Sequence, residues 1–250
     1  MSHTDLYDVP ELYDLVMVPN AAAEAFYAEE AGKRGGIVLD LACGSGRFTV
    51  PLAQLGIKVV GGDISESMLH RARAKAAKAG VDIDFRQMDM RDVVLPDHSV
   101  GLILIAANSL LHLHDIEDLR RCLLAARRQL APGGALVLDV FVPSVQILAR
   151  KPDERHLIGR FANDLYGEIR LEETTDYHPT TQVNRGTWFW STTDRKDFLI
   201  TPLHLRQLFP QEVPLLIQAA GLRLMARYGG FDRDRFDRNS QRQLCVCEVG

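Results

Sequence analysis

Between Ile37 and Val142 the chain alternates short apolar runs with stretches of helical pattern, and this alternation restricts the fold more than any other feature. The runs are Ile37 to Asp40, Lys58 to Gly62, Ile83 to Gln87, Val100 to Ala106 and Ala135 to Val142. In Leu102-Ile103-Leu104-Ile105 every successive residue is apolar, so a strand there would bury both faces. Strands of that kind belong to parallel sheets covered by helices on each side. The segments between them carry helix signals. Asn20 can cap a helix running to about Lys33, and Ser65 one running to about Ala79 that Gly80 stops. A helix from about Ile116 to Leu130 ends before Pro132-Gly133-Gly134. A helix from about Ser45 to Gly56 would hold Pro51 near its second turn, which predicts a local kink. The β-α-β-α order makes the chain α/β, with a doubly wound open sheet.

After Pro143 the period changes to two. Ile169-Arg170-Leu171 and Val183 through Phe189 alternate, and His178-Pro179-Thr180-Thr181 reads as the turn between strands, within a stretch from about Tyr166 to Ile200. A helix from about Gln211 to Ala220 and apolar runs at Leu222 to Tyr228 and Leu244 to Val249 close the chain.

Val38-Leu39-Asp40-Leu41-Ala42-Cys43-Gly44-Ser45-Gly46-Arg47 joins an apolar strand to a glycine turn and a helix start. Gly44 and Gly46 let backbone approach a ligand closely. A ligand there sits at the carboxyl edge of a sheet beside a helix N-terminus, where Asp40 can accept from a cationic amine. A dinucleotide fingerprint would want Gly or Ala where Thr49 stands, which favours a ligand without a pyrophosphate. Asp63 ends the second run, where a carboxylate can grip both ribose hydroxyls. Asp89 with Met90 follows the third, placed to accept from an adenine amino group, and Ala106 and Ala107 end the fourth.

Together these segments resemble the motif series of class I S-adenosylmethionine-dependent methyltransferases of the small-molecule type, with Pro132-Gly133-Gly134 as the turn before the fifth strand. The resemblance implies a Rossmann-like, mostly parallel seven-stranded sheet with an inserted small antiparallel β subdomain. It implies S-adenosylmethionine as cofactor. Asp40, Ala42, Cys43, Gly44 and Gly46 would lie at its methionine end, Asp63 at the ribose, Asp89 and Met90 at the adenine, Ile64 and Met68 against the nucleoside, and Ala106 beside it. One methyltransferase domain is expected over 1–250. It comprises a helical N-terminal lid (1–36), the cofactor-binding core (37–143), an inserted antiparallel substrate or lid region (144–202), and the closing helix and strands (203–250).

On the substrate side, Asn108-Ser109-Leu110-Leu111-His112-Leu113 is similar to the matching loop of glycine and amino-sugar N-methyltransferases, and Glu11-Leu12-Tyr13-Asp14 resembles the amino-sugar group. The resemblance implies catalytic roles for His112, near the acceptor amine, and for Tyr13, over the site. His112 is either a base or positioner, or a residue that caps the next helix; Tyr13 is either catalytic or packing. Asn108, Trp188 and Trp190 are candidates for binding substrate, the two tryptophans sharing one face of a strand. Burial of that sheet against the core or a second subunit is the other reading of the pair, which leaves a homodimer open.

Composition narrows the partners. The 250 residues carry a formal net charge of −4, which argues against nucleic acid. Met1 to Pro10 is polar, and no apolar run reaches the roughly 20 residues of a bilayer span, so no membrane partner and a cytoplasmic location are expected. Cys43, Cys122, Cys245 and Cys247 form no C-x-x-C pair, so neither a metal nor a disulfide is expected.

Overall fold

The computed structural model describes residues 5–250. A 3-10 turn at Leu6–Asp8 leads to α1 (Pro10–Val16) and α2 (Ala21–Arg34). Then come β1 (Ile37–Leu41), α3 (Thr49–Gln54), β2 (Val59–Asp63), α4 (Glu66–Ala79), β3 (Asp84–Gln87) and β4 (Val100–Ile105). A second 3-10 turn at Ser109–His112 precedes α5 (Ile116–Gln129), β5 (Leu130–Phe141) and the single turn α6 (Val145–Leu148). β6 (His156–Asn163), β7 (Gly167–His178), β8 (Val183–Thr192) and β9 (Leu199–Arg206) follow, and α7 (Glu212–Ala219), β10 (Leu222–Tyr228) and β11 (Arg242–Val249) end the chain.

The residues divide into two units. The larger, Pro19–Val142 with Leu208–Gly250, holds a seven-stranded sheet in the order β10-β11-β5-β4-β1-β2-β3. The pairs from β5 to β3 are parallel; β11 runs antiparallel to both β5 and β10. All residues of β2 and β4 are buried, as the uninterrupted apolar character of β4 requires, whereas the edge strand β3 is mostly exposed. Phe26, Tyr27, Val38, Phe48, Leu102, Leu104, Val137 and Val246 share one core cluster. Asn20 and Ser65 cap α2 and α4 by accepting from the N–H groups of Ala23 and Met68, and Gly80 ends α4 in the left-handed conformation.

Two local expectations change. Ser45 to Phe48 are spent in the turn, so α3 begins at Thr49 and Pro51 falls in its first turn. A first-turn N–H has no helical partner, so proline there removes nothing and forces no kink. The Pro132-Gly133-Gly134 turn lies within β5 as a loop-out: Leu130 pairs with Val100 and Ala135 with Leu102, leaving four residues opposite one. A Cβ at Gly134 would stand 2.8 Å from the Val100 carbonyl oxygen, so only glycine fits there.

The smaller unit joins the described residues up to Val18 with Pro143–Gln207. Its sheet is antiparallel, in the order β6-β7-β8-β9. Leu6 and Leu12 pack on Ile169, Leu171, Trp188 and Trp190. Among the described residues of the expected N-terminal segment, α1 serves this core and α2 the larger one. Strand pairing carries the inserted region to Arg206, four residues past the expected 202. Met1 to Thr4 lie outside the described residues.

Among the described residues no helix is long and apolar enough to cross a membrane, and no cluster of His, Cys, Asp or Glu could hold a metal. All four cysteines are buried free thiols.

Candidate active site at the carboxyl edge of the parallel sheet

β1 ends with Asp40 and Leu41, and the chain then reverses through Ala42 (φ 57°), Gly44 (φ 55°) and Gly46 (φ 78°). Three left-handed residues in five make the turn tight enough to bring α3 back onto the sheet. A Cβ on Gly46 would lie 3.1 Å from Val50 Cγ2 and 3.2 Å from Ala72 Cβ, so the loop is pressed between α3 and α4. The turn is pinned to β2: the Cys43 N–H donates to the Gly62 carbonyl at 3.0 Å, and the Gly44 N–H to Asp63 Oδ2 at 2.8 Å. Asp63 Oδ1 accepts from the Ser65 N–H at 2.8 Å. Burial raises the Asp63 pKa, while the N–H groups of Ser65, Gly44 and Ile64 pull it back.

An ionised carboxylate offers about four acceptor sites, so Asp63 keeps capacity beyond the backbone donors it already takes. Those remaining acceptor sites fit the two hydroxyls of a vicinal diol. Ile64 beside it is 62% exposed, an apolar side chain held in the open next to the carboxylate, as a nucleoside contact requires. Met68 is fully buried under α4 and belongs to the core, so it does not present the expected nucleoside surface.

Asp40 faces inward. It is 2% exposed, and its Oδ2 accepts from Thr49 Oγ1 at 2.6 Å. Burial, with a smaller push from the Asp63 charge, lifts its carboxyl to about 7 against the pull of Thr49. Thr49, notable in the sequence only for not being glycine, is thus the residue that orients Asp40. At the end of β3, Asp89 is gripped by Arg91 through Nε, Nη2 and the Arg91 N–H, and Arg91 also reaches Asp118 on α5 at 2.7 Å. These bonds to Arg91 hold the Asp89 carboxyl below its ordinary value. Met90 adjoins it, half-buried.

The β4 edge carries features the sequence reading missed. Asp139, near the end of β5, is 1% exposed. It accepts from Tyr27 Oη at 3.1 Å, from the Ala107 N–H at 3.1 Å and from Arg242 Nη1. Burial pushes the Tyr27 phenol well above its ordinary value, so it serves as a donor. The signal was present: Asp139 is the one acid in the apolar run Ala135 to Val142. Ala106 is buried, while Ala107 (φ 51°) and Asn108 (φ 70°) turn the chain into the 3-10 segment that ends at His112. Asn108 Oδ1 accepts from the Phe141 N–H at 2.8 Å, so this oxygen latches the loop to β5. His112 is half-buried.

The structure therefore brings Asp40, Ala42, Cys43, Gly44, Gly46 and Asp63 into one cluster, with Ala106, Asn108 and His112 on the neighbouring strand's loop. Tyr13, Trp188 and Trp190 belong to the smaller unit. The Tyr13 ring lies 5.8 Å from that of Tyr7. The Trp188 and Trp190 rings meet edge-on at 5.9 Å, with their N–H groups donating to Glu173 and Thr201. Trp190 has no exposed surface, so the pair builds the core of the antiparallel sheet and offers no indole face to a substrate. A cavity of roughly 740 Å³ at the other edge of the parallel sheet, lined by Arg91, Arg128 and 130–134 among others, includes none of the clustered carboxylates.

Comparison with known proteins agrees with this geometry. Residues 38–134 match the family model described as a methyltransferase domain. The chain is 37% identical over 105 residues to the putative methyltransferase YqeM of Bacillus subtilis, covering 42% of each protein. It is 36% identical over 164 residues to the ubiquinone/menaquinone biosynthesis C-methyltransferase UbiE of Pseudoalteromonas translucida, covering 61% of this chain and 64% of that one. The chain thus spans less than two thirds of the length of these curated relatives. Among solved structures, the CcbJ methyltransferase of Streptomyces caelestis superposes with a TM-score of 0.82 at 26% identity, covering 98% of this chain and 96% of the other. CalS10 of Micromonospora echinaspora, solved with S-adenosylmethionine bound, gives a TM-score of 0.74 at 17% identity, a likeness of fold. Residues 38–134 thus match a methyltransferase domain, and the chain has the fold of solved methyltransferases, one of them holding S-adenosylmethionine.

Proposed function

We propose that the protein transfers a methyl group from S-adenosylmethionine to a nitrogen atom of a small-molecule acceptor. The observation that carries this is Asp63, fixed at the end of β2 by the N–H groups of Gly44 and Ser65 with acceptor capacity to spare. When bound, S-adenosylmethionine supplies a methyl group already activated on a sulfonium. The chain has only to hold, orient and keep water out. Asp63 holds the ribose hydroxyls, Ile64 flanks the nucleoside, and Asp89 with Met90 serves the adenine edge. The loop Ala42 to Gly46, with Asp40 behind it, takes the methionine end.

The lean to nitrogen rests on the loop Asn108 to Leu113 and its similarity to N-methyltransferases. His112 there acts as base or positioner, an imidazole being suited to proton transfer near neutral pH. Tyr13 is assigned to the acceptor side. A carbon acceptor is the second reading, favoured by the 36% identity to a C-methyltransferase. The reaction belongs to the small-molecule metabolism of the cytoplasm, carried out by a monomer or a homodimer.

Calorimetry with S-adenosylhomocysteine tests the reading. Binding in the micromolar range is expected, weakened about 10- to 100-fold in Asp63→Ala by loss of charged hydrogen bonds worth roughly 1.5–3 kcal/mol. Asp63→Asn, which keeps one acceptor oxygen and the shape, should fall between. Undiminished affinity in both variants, or tighter binding of NAD, would remove Asp63 from the cofactor site.

A further inference from the structure

We propose that the arginine-lined cavity beside the carboxyl end of α5 binds a polyphosphate chain carried by a small molecule. The cavity, roughly 740 Å³, has the size of a small-molecule site. Its walls come from α5, the segment after β3, the loop-out of β5 and the end of β11, all parts of the larger unit. Four arginines line it, Arg91, Arg121, Arg127 and Arg128, against two acids, Asp92 and Glu248, in a chain whose net charge is −4. Among the described residues no lysine joins them. A guanidinium presents a planar fork of donors that matches phosphate oxygens two at a time, which an ammonium does not.

Most of this positive charge is not spent inside the fold. Arg91 is engaged, between Asp89 and Asp118. Arg121 is left with Asp118 at 3.4 Å, an acid that Arg91 already holds at 2.7 Å. Arg128 meets Asp97 at 3.3 Å with both side chains more than half exposed, and its Nη2 donates to the Val93 carbonyl at 3.3 Å. Ion pairs so exposed contribute little. Arg127 has no carboxylate partner among the described residues; its Nε donates to the Gly221 carbonyl at 3.1 Å. Glu248 is held by Arg34 and Arg223, so it has no charge to spare for the cavity. Cations in the last turn of α5 offset the helix dipole, which accounts for Arg127 and Arg128. It does not account for Arg121, two turns earlier.

The spacing of the arginines selects the ligand class. Arg121 and Arg128 share one face of α5, seven residues and about 10 Å of rise apart. A single tetrahedral anion cannot touch both, whereas two or three linked phosphates can. On the side of the loop-out, Pro132 and Gly133 are exposed. Gly133 takes φ 76°, and a Cβ there would meet nothing within 4 Å. Arg34 Nη1 anchors this turn by donating to the Gly133 carbonyl at 3.2 Å. A bare, anchored glycine turn lets an anion come close to backbone. None of the residues assigned to the cofactor lines the cavity, so the inference stands apart from methyl transfer.

The test is calorimetry on the full chain with inorganic tripolyphosphate, a probe with no nucleoside that could enter a cofactor site. Saturable binding in the micromolar range is expected, weakened about tenfold or more in Arg127→Gln and in Arg128→Gln, each removing one charged hydrogen-bonding group. Arg160→Gln, on the antiparallel sheet, should leave it unchanged. Arg128 is exposed, so Arg128→Gln keeps the test valid if loss of the Arg127 bond to Gly221 unsettles the fold. UTP serves as the second probe. Affinity equal to that of tripolyphosphate assigns recognition to the phosphate chain alone, and tighter binding adds the nucleoside. The proposal is overturned by absence of saturable tripolyphosphate binding to the unmodified chain, or by undiminished affinity in Arg128→Gln. An equal loss in Arg160→Gln would also overturn it, because binding would then follow overall charge and not this cavity.

Discussion

Asp139→Ala should destabilise the larger unit more than almost any other single truncation of a polar residue. Its carboxylate is 1% exposed and takes three donors: Tyr27 Oη, the Ala107 N–H and Arg242 Nη1. Removing one partner of a buried ion pair costs about 3–5 kcal/mol, chiefly because the other partner is left desolvated and unmatched. The Arg242 side chain is 31% exposed and can regain some water, which argues for the lower part of that range. The Tyr27 hydroxyl and the Ala107 N–H cannot, and each adds a part of the roughly 1–3 kcal/mol cost of an unmatched buried group. A loss of about 4 kcal/mol is therefore expected. For a chain of this length, 1 kcal/mol moves Tm by about 2–4 °C, so thermal unfolding followed by circular dichroism should show a drop of about 8–16 °C. Arg242→Ala should cost less, because the carboxylate keeps two neutral donors. The double variant should cost less than the two singles added, since each single already includes loss of the same pair. A drop of under about 3 °C in Asp139→Ala would place the pair in the range of exposed surface salt bridges and refute this account. Additive losses in the double variant would do the same.

Pro51→Ala should leave Tm within a degree or two, because Pro51 occupies the first turn of α3; a gain of several degrees would show that the proline had been breaking a helix after all. Asp40, carried to about 7 from the ordinary 3.8, keeps its proton in the folded chain where the unfolded chain has lost it. Between those two values the folded state binds more protons, so this group makes stability fall as pH rises through the window. Denaturant midpoints measured between pH 4.5 and 7.5 should decline less in Asp40→Asn than in the unmodified chain; a steeper decline in the variant would have the sign wrong.

Where burial followed from unbroken runs of apolar residues, the fold was readable. β4 is apolar throughout and buried throughout, β2 is apolar and buried up to the buried Asp63 at its end, and Asn20 and Ser65 cap the helices they announce. Tight turns were less readable, because their length depends on which φ values the residues adopt. The glycine turn consumes Ser45 to Phe48, and that alone moved Pro51 from a helix interior to a helix start. β6 escaped notice because Leu157-Ile158-Gly159 breaks the period of two, and its register does shift between Leu157 and Gly159. The family resemblance assigned Met68 to the nucleoside. Its place on one helical face with Leu69, Ala72 and Ala76 fits burial better. For Asp139 the oddity of a lone acid in an apolar strand was visible. Its partners, Tyr27 and Arg242, lie 112 and 103 residues away in the chain, and only the fold joins them.

The backbone at the sheet's carboxyl edge shows why those distant partners matter. Ala42, Ala107 and Asn108 all take positive φ, and none is glycine. For residues with a Cβ this region is disfavoured, by about 1–3 kcal/mol where strain is large, and it persists only when surrounding bonds insist on it. At Ala107 and Asn108 the insistence is explicit. The Ala107 N–H is held by Asp139 Oδ2, the Asn108 N–H by the Asp139 carbonyl at 2.9 Å, and Asn108 Oδ1 by the Phe141 N–H. At Ala42 the neighbouring Cys43 N–H is held by Gly62 and the Gly44 N–H by Asp63. Strands β1 and β4 are adjacent, so the two strained turns open side by side at one edge of the sheet. A fold seeking stability alone would relax them. Stiff loops that hold Asp63 on one side and lead to His112 on the other are what a site needs when its whole contribution is to keep two reactants aligned.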